Sequence, residues 1–307
     1  MIDRSEVRMG PVLGCGPAVR ALVAATFPDG PPDGGVAGKP AFVTDSVAAR
    51  PLFFPGGSLG ELAVHGAVNA LATAGALPRY LVAGLAVAAD LPTEDLRRIL
   101  HGMRAAADRA GVRVVAGSSS VLPPSTPAGD GGCRIDVTGV GVIRGRHRLG
   151  VSRARPGDAV LVSGPVGEHG GALVLGRDDV RSDSAPLHEP VAALLAAAAG
   201  VRVLRTAGRG GVAAALAEVA RASRVSVRLL AEAVPVRREV RVAAQLLGVD
   251  PLHLACEGRV VVVVAGAQAG AGLAALRAHP LGAGAARIGL IAADQPGSVL
   301  LDGARLE

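Results

Sequence analysis

The sequence predicts an α+β protein built from two domains. Its 307 residues exceed what one ordinary core needs and suit two. Apolar runs of strand length alternate with segments whose apolar residues recur every three or four positions. Between Arg144 and Pro156 lies a basic stretch containing helix and strand breakers, the composition of a hinge. These features predict a leader over residues 1–38, a first domain over 39–150 and a second over 151–307, with the boundary near Val151.

In the leader, Pro17–Phe27 is apolar enough for one short helix, and Pro28–Gly38, rich in Pro, Gly and Asp, reads as a loop. The first domain opens with a strand, Ala41–Thr44, that ends at Asp45-Ser46. Behind the loop Phe53-Phe54-Pro55-Gly56-Gly57, Ser58 is a good helix N-cap, and Glu61 three residues on predicts a capping box. Leu59, Leu62, Ala63, Gly66 and Ala67 share one face of that helix. Tyr80–Val87 has strand length. A helix from Thr93 to about Ala110 carries Leu96, Ile99, Leu100 and Met103 on one face, and Gly111 closes it. Val112–Ala116 reads as a buried strand and Arg134–Ile143 as an alternating one. The order β-α-β-α-β-β suits an antiparallel or mixed sheet.

In the second domain, Arg155-Pro156-Gly157-Asp158 turns into a strand over Ala159–Val162. Ser163–Gly167 is a second glycine loop before a helix, Glu168–Leu175; it reads equally as a tight βα turn or a phosphate loop. Helices are expected over Pro190–Ala199, Val212–Ala222, Arg237–Leu247 and Ala267–Ala278. Strands are expected over Val225–Leu229, Val260–Val264 and Ala285–Ile291, with Cys256-Glu257-Gly258 ending one strand and starting the next.

Composition narrows the function. Half the residues are apolar, aromatics are 2% and Trp is absent, so the core is built from Ala, Val and Leu. The net charge of +6 comes from scattered arginines, and Lys39 is the only lysine. Without basic runs or stacking aromatics, nucleic-acid binding is not expected. Cys15, Cys133 and Cys256 are unpatterned, which indicates neither a disulfide framework nor a metal cluster. No uninterrupted apolar leader or uncharged apolar run points to secretion or a membrane span, so the expected location is the cytoplasm.

One stretch concentrates chemistry. Asp45 stands at a strand end, Gly56-Gly57 let backbone N–H groups approach a ligand, and a helix N-terminus follows. An acid, a glycine loop and a helix start suit a phosphate with a divalent cation. The alternative is that Asp45 caps a turn and the glycines only close it. Farther on, Arg209-Gly210-Gly211 before a helix is a reasonable anion nest.

The phrase TDSxxxxPLFFPGGxxGxLAVxGxVNxLA over residues 44–72 is joined by Gly75-Ala76-x-Pro78, Ser182-Asp183-Ser184-Ala185-Pro186-Leu187, Arg209-Gly210-Gly211 and Glu257-Gly258. In this order the phrases resemble the hydrogenase expression/formation family HypE of the PurM (aminoimidazole ribonucleotide synthetase) superfamily. The resemblance implies a two-domain PurM-like fold: a sheet-and-helix dimerisation domain, whose sheet joins that of a second copy in a barrel, plus an α+β C-terminal domain. It implies ATP and magnesium as cofactors. Asp45, Phe54, Gly56, Gly57, Asn69, Gly117, Arg209, Gly210 and Gly211 would bind the nucleotide, with Asp45 on the metal and Glu257 as the catalytic acid or base. The implied reaction is ATP-dependent dehydration of a carbamoylated cysteine to a thiocyanate, the cyanide source for nickel–iron hydrogenase. The implied partners are a HypF-like carbamoyltransferase and a HypC–HypD-like complex.

The chain departs from the family pattern at charged positions. Asn69-Ala70-Leu71 stands for Asn-Asp-Leu, Gly117-Ser118-Ser119-Ser120-Val121 for Gly-Asp-Thr-Lys-Val, and Thr206-Ala207-Gly208 for Asp-Pro-Thr. Gly14-Cys15-Gly16 lacks the leader histidine, and Asp29 and Asp33 match the family's acidic pair only by proximity, whereas His169 with Gly170-Gly171 is matched. The family ends in Pro-Arg-Ile-Cys; the sequence given ends in Asp302-Gly303-Ala304-Arg305-Leu306-Glu307. The departures predict a weakened ATP site and no terminal carrier thiol. Two readings follow: an impaired enzyme acting on a separate acceptor, and a non-enzymatic scaffold in a maturation complex.

Overall fold

The structure, a computed structural model, describes residues 25–26, 38–49, 51–124, 132–143, 145, 147–176 and 180–306. Cys15, Asp29, Asp33 and almost all of the expected leader helix and loop lie outside the described residues.

The first sheet contains β1 (Lys39–Val47), β4 (Ala76–Ala88), β5 (Arg113–Leu122) and β6 (Cys133–Ile143). Its strand order is β1-β6-β4-β5. β6 pairs antiparallel with β1 and β4, whereas β4 and β5 are parallel. A parallel pair needs a crossover, and α2 (Thr93–Arg109) supplies it. Together with α1 (Leu59–Thr73), α2 covers one face of the sheet. Leu59, Val64, Leu81, Ile99, Leu100, Met103 and Ile135 interlock there with almost no exposure. The other face is uncovered: Phe42 is 68% exposed and Val82 37%.

The strands outrun the sequence reading. β1 extends past Asp45, and β5 continues through Gly117–Ser120, because backbone pairing with a neighbour continues where side-chain hydrophobicity stops. The loop before α1 is itself a small hairpin of β2 (Phe53–Phe54) and β3 (Gly57–Ser58). Ser58 is the N-cap residue, but the expected capping box does not form. Its hydroxyl donates to Glu61 Oε2 (3.3 Å), while Glu61 Oε1 accepts from Arg109 on α2 (2.8 Å), so the ion pair draws the carboxylate away from the cap.

The second sheet has seven strands in the order β13-β12-β9-β11-β7-β10-β8. These are β7 (Ala159–Val162), β8 (Val201–Thr206), β9 (Ser226–Leu229), β10 (Val260–Val264), β11 (Ala286–Ala292), β12 (Val299–Leu301) and β13 (Ala304–Arg305). β8 was not legible in the sequence because Arg202 and Arg205 interrupt its apolar run. One face is covered by α5 (Gly211–Ser223), through Val212, Leu216 and Val219. The other is covered by α4 (His188–Ala197) and α7 (Ala269–Arg277), and Ala72 of α1 joins that core. All five valines of β10 are buried, as expected of a central strand covered on both faces. α3 (Glu168–Leu175) and α6 (Arg238–Leu247) pack against each other over a small core of Val240, Ala243, Ala244 and Leu254.

α1 and α2 cross at Gly60, where a Cβ atom would stand 2.1 Å from the Ile99 carbonyl oxygen. Gly60→Ala is expected to destabilise the protein by about 2–3 kcal/mol, because packed helix backbone must move apart. Gly111→Ala, with φ of +60° but nothing within 4 Å, should cost only ~1 kcal/mol of backbone strain. Urea-denaturation midpoints of the two variants check the contrast.

Candidate functional site

The site forms where α1, the loop before β10 and the segment Ser182–Leu187 meet. That segment is tied to both domains. The Ser182 N–H donates to the Pro55 carbonyl (2.8 Å), and the Ser184 hydroxyl bonds His65 Nδ1 (2.9 Å). Asn69 Nδ2 donates to the Ala185 carbonyl (3.0 Å) and the Glu257 carbonyl (3.1 Å), and Asn69 Oδ1 accepts from the Leu187 N–H (2.7 Å). Asp183 is buried beneath them. Its two oxygens accept from the Glu257 N–H (3.0 Å) and the Gly258 N–H (3.3 Å).

Glu257 is therefore held by its backbone. Gly258 leaves no latitude, since a Cβ there would be 1.8 Å from the Asp183 carbonyl oxygen. Burial pushes the Glu257 carboxyl up to about 7, the charges of Asp183 and Asp45 add to the rise, and Arg209 opposes it. Asp45 reaches the same place from the first domain. It lies on the helix-covered side of β1, where a Cβ on Gly66 would be 2.6 Å from Asp45 Oδ2. Asp45, Glu257 and Arg209, far apart in the chain, thus share one electrostatic environment. Two carboxylates close enough for the charge of Asp45 to add to the rise at Glu257 are a donor pair whose repulsion a divalent cation would relieve. The niche therefore fits a cation held partly by protein. Among the described residues no three His, Cys, Asp or Glu side chains converge to hold a metal alone.

The other expected site residues are placed differently. Phe54 is buried with its ring edge against His169, at 5.1 Å and 90°, and so His169 is a packing residue rather than a surface one. Gly56 has φ of +92°, and a Cβ would lie 2.8 Å from the Ser182 nitrogen; its lack of a side chain lets the hairpin dock on the second domain. Gly57 lies against the Phe54 ring in the same hairpin. Asn69, fully buried, gives its amide to the backbone of the second domain. Arg209 is exposed beside the niche, and Gly210 is the N-cap of α5, while the Gly211 N–H is taken by the Gly208 carbonyl (2.8 Å). Gly117 shares a row with Asp45 across the sheet, but at the opposite edge, three strand spacings or about 14 Å away. Ser118 and Ser120 pair with Gly84 and Ala86 on the uncovered face, and Ala70 follows Asn69 on α1.

Glu257 precedes β10 but follows the turn Pro251–His253, so no strand ends at Cys256 as the sequence reading expected. Cys256 is buried and its sulfur accepts from the Gly167 N–H (3.0 Å). The second glycine loop is thus a packed turn. Sequence reasoning gave no role to Asp183 or His65. Only the phrase Ser182–Leu187 hinted at the first, and nothing local marks either as buried.

Residues 33–143 match the AIR synthase related protein N-terminal domain, and residues 155–302 the AIR synthase related protein C-terminal domain. The carbamoyl dehydratase HypE of Cupriavidus necator is 46% identical over 257 residues, covering 82% of this chain and 72% of that protein. The chain belongs to the HypE family. Its fold is the two-domain PurM-like fold. A solved hydrogenase maturation protein HypE superposes with a TM-score of 0.86 at 37% identity, covering 92% of this chain and 94% of the other. A HypE structure in complex with ATP gives 0.84 at 38%, covering 97% and 89%. HypE in a HypE–HypF complex gives 0.80 at 36%, covering 87% and 88%.

Within this HypE-family framework, the buried carboxyls set a pH dependence. Glu257, Asp183 and Glu168 all hold their protons more tightly when folded than ordinary carboxyls do, chiefly through burial. A raised folded pKa means that the folded state binds more protons, so stability falls as pH rises from the ordinary carboxyl range. For Glu257 the loss runs from about 4.5 to about 7. Glu257→Gln is expected to flatten the fall in melting temperature between pH 5 and pH 7, leaving a smaller slope from the other two. Melting curves across that range decide it; an unchanged slope would remove Glu257 as the titrating group.

Proposed function

We propose that this chain works in nickel–iron hydrogenase maturation as HypE proteins do, in the ATP-dependent dehydration of a carbamoylated cysteine to a thiocyanate. The observation that carries this reading is the convergence of Asp45, Glu257 and Arg209 at the domain junction. ATP, when bound, supplies the phosphoryl group that turns the carbamoyl oxygen into a leaving group. Asp45 would hold the magnesium ion that accompanies the nucleotide, and Arg209 would neutralise phosphate charge. Glu257, with its carboxyl near neutrality, takes an amide proton as the C≡N bond forms. Among the described residues, Cys133 and Cys256 are buried and their thiols are pushed up, to about 12 for Cys133, so neither suits a carrier role. The carbamoylated cysteine is therefore presented from outside the described residues.

Affinity for ATP and magnesium is proposed to be weak, because Ala70, Ser118 and Ser120 lack the charges of the family pattern. The same uncharged positions favour a second reading, a non-enzymatic scaffold in the maturation complex. Calorimetry separates the two. We expect magnesium-dependent ATP binding, weakened about tenfold by Asp45→Ala, as the loss of one charged contact implies. No binding at all would favour the scaffold, and sub-micromolar affinity would overturn the weakened site.

The working unit is proposed to be a cytoplasmic homodimer, divided as residues 39–150 and 151–307, that meets a HypF-like carbamoyltransferase and a HypC–HypD-like complex. Support for the dimer is the uncovered face of the first sheet, where Phe42, Val140 and Tyr80 lie in one row and Val82 in the next, opposite Thr138. A barrel that set the β5 edge of the second copy against β1 would also bring Gly117 to the niche. Light scattering at micromolar concentration should give twice the chain mass, and Val82→Glu should reduce it to one. A monomer in the unsubstituted protein would sink the proposal.

A further inference from the structure

Away from the carboxylate niche, the segment after β6 runs beside the edge strand β8, with the Gly150 N–H donating to the Arg202 carbonyl (3.0 Å). It closes a cavity of about 320 Å³ lined by His147, Arg148, Arg153, residues 199–201 and Arg202. Arg202 is paired with Asp158 at 3.0 Å. Among the described residues, Arg148 and Arg153 have no acidic partner, and both side chains are exposed to the cavity mouth. His147 Nδ1 is buried with no hydrogen-bond partner. A buried nitrogen left unpaired is costly, and a ligand or water in the cavity removes that cost.

His147 is also a wall of a second cavity of about 360 Å³, between the C-terminal end of α1 and α4. Its lining is mostly apolar, including Leu77, Val191 and Leu195. His188 lines it too, and its Nδ1 is a second buried nitrogen without a partner. A basic chamber and an apolar one therefore share a wall, each with an unpaired imidazole nitrogen. Each chamber is at the lower end of the range for small-molecule sites, about 300–1,000 Å³. The groove begins at Ala72, six residues along α1 from Gly66, or about 9 Å from the niche at Asp45.

We propose that the two cavities form one binding site for a small phosphomonoester with an apolar body. The phosphate lies on Arg148 and Arg153, with Arg202 held in place by Asp158. The apolar body lies in the groove, and its polar atoms meet His147 and His188. Guanidinium pairs bind phosphate dianions through paired N–H groups, which favours this class over a neutral ligand. The site is independent of the nucleotide niche.

Calorimetric titration of the full chain with phenyl phosphate, inorganic phosphate and benzyl alcohol tests it. Phenyl phosphate is expected to bind, inorganic phosphate more weakly, and benzyl alcohol weakest. The double variant Arg148→Glu, Arg153→Glu should lose about tenfold or more for both phosphates, as two charge-assisted contacts imply. Both side chains are exposed, and an unchanged melting temperature without ligand shows that the fold has survived. Leu195→Asp should abolish the advantage of phenyl over inorganic phosphate. Asp45→Ala should leave both affinities unchanged, which separates this site from the nucleotide niche. The proposal is overturned if phenyl phosphate shows no binding at about 10 mM. It is equally overturned if the double variant binds within twofold of the original, or if Asp45→Ala removes the binding.

Discussion

The arrangement depends on one buried carboxylate. Asp183 has no exposed side-chain surface, yet it accepts two backbone N–H groups and lies 3.7 Å from Arg259 Nε. A charge taken out of water is tolerable only when its hydrogen bonds are fully supplied. Arg259 supplies the rest of the frame: it donates to the Pro165 and Gly258 carbonyls and to Glu168, which also takes Arg237 at 2.7 Å. The network joins the turn before α3, the Ser182–Leu187 segment and the loop before β10. Glu257 is held at the junction because its own backbone is part of that network.

The second constraint is the approach of the two domains along α1. One helix contributes Leu59 to the first core, Ala72 to the second, and Asn69 to the backbone bonds between them. His65 fits the same logic. Its Nδ1 is bonded to Ser184, and burial, aided by Arg109, drives its pKa down to about 3, so it is neutral in this junction. Asn69, which crosses the same interface, is satisfied by backbone of the second domain, which fixes the direction of approach without a charge on α1. The hairpin Phe53–Ser58 completes the seam by packing Phe54 on His169. Residues that look like ligand contacts in a sequence phrase, Gly56 and Asn69 above all, thus also have structural duties between domains.

Much of the fold was legible in the chain. Leu96, Ile99, Leu100 and Met103 recur at helical spacing and are buried together, and the valine run of β10 reads as a central strand. Strand ends were less legible because pairing with a neighbour, not local hydrophobicity, sets them. β8 was missed because its arginines lie on an edge strand, where they find acidic partners: Arg202 with Asp158 and Arg205 with Glu218. At the candidate site, Asp45, Glu257 and Arg209 were singled out from turns, glycines and family phrases. Asp183 was not, because a Ser-Asp-Ser string reads as a surface turn until its burial is known.

By itself the sequence determined the family, the two-domain α+β class and the face of each amphipathic helix. Those are properties of residue type and local period, and they survive without knowing what packs on what. Only the tertiary structure decided that Asp45, Glu257 and Arg209 share one field while Gly117 lies across the sheet. It also decided that the glycine loop is an interdomain hairpin, and that Glu257 holds its proton near neutrality. Each depends on desolvation and on distances between segments remote in the chain, and neither quantity is carried by local sequence.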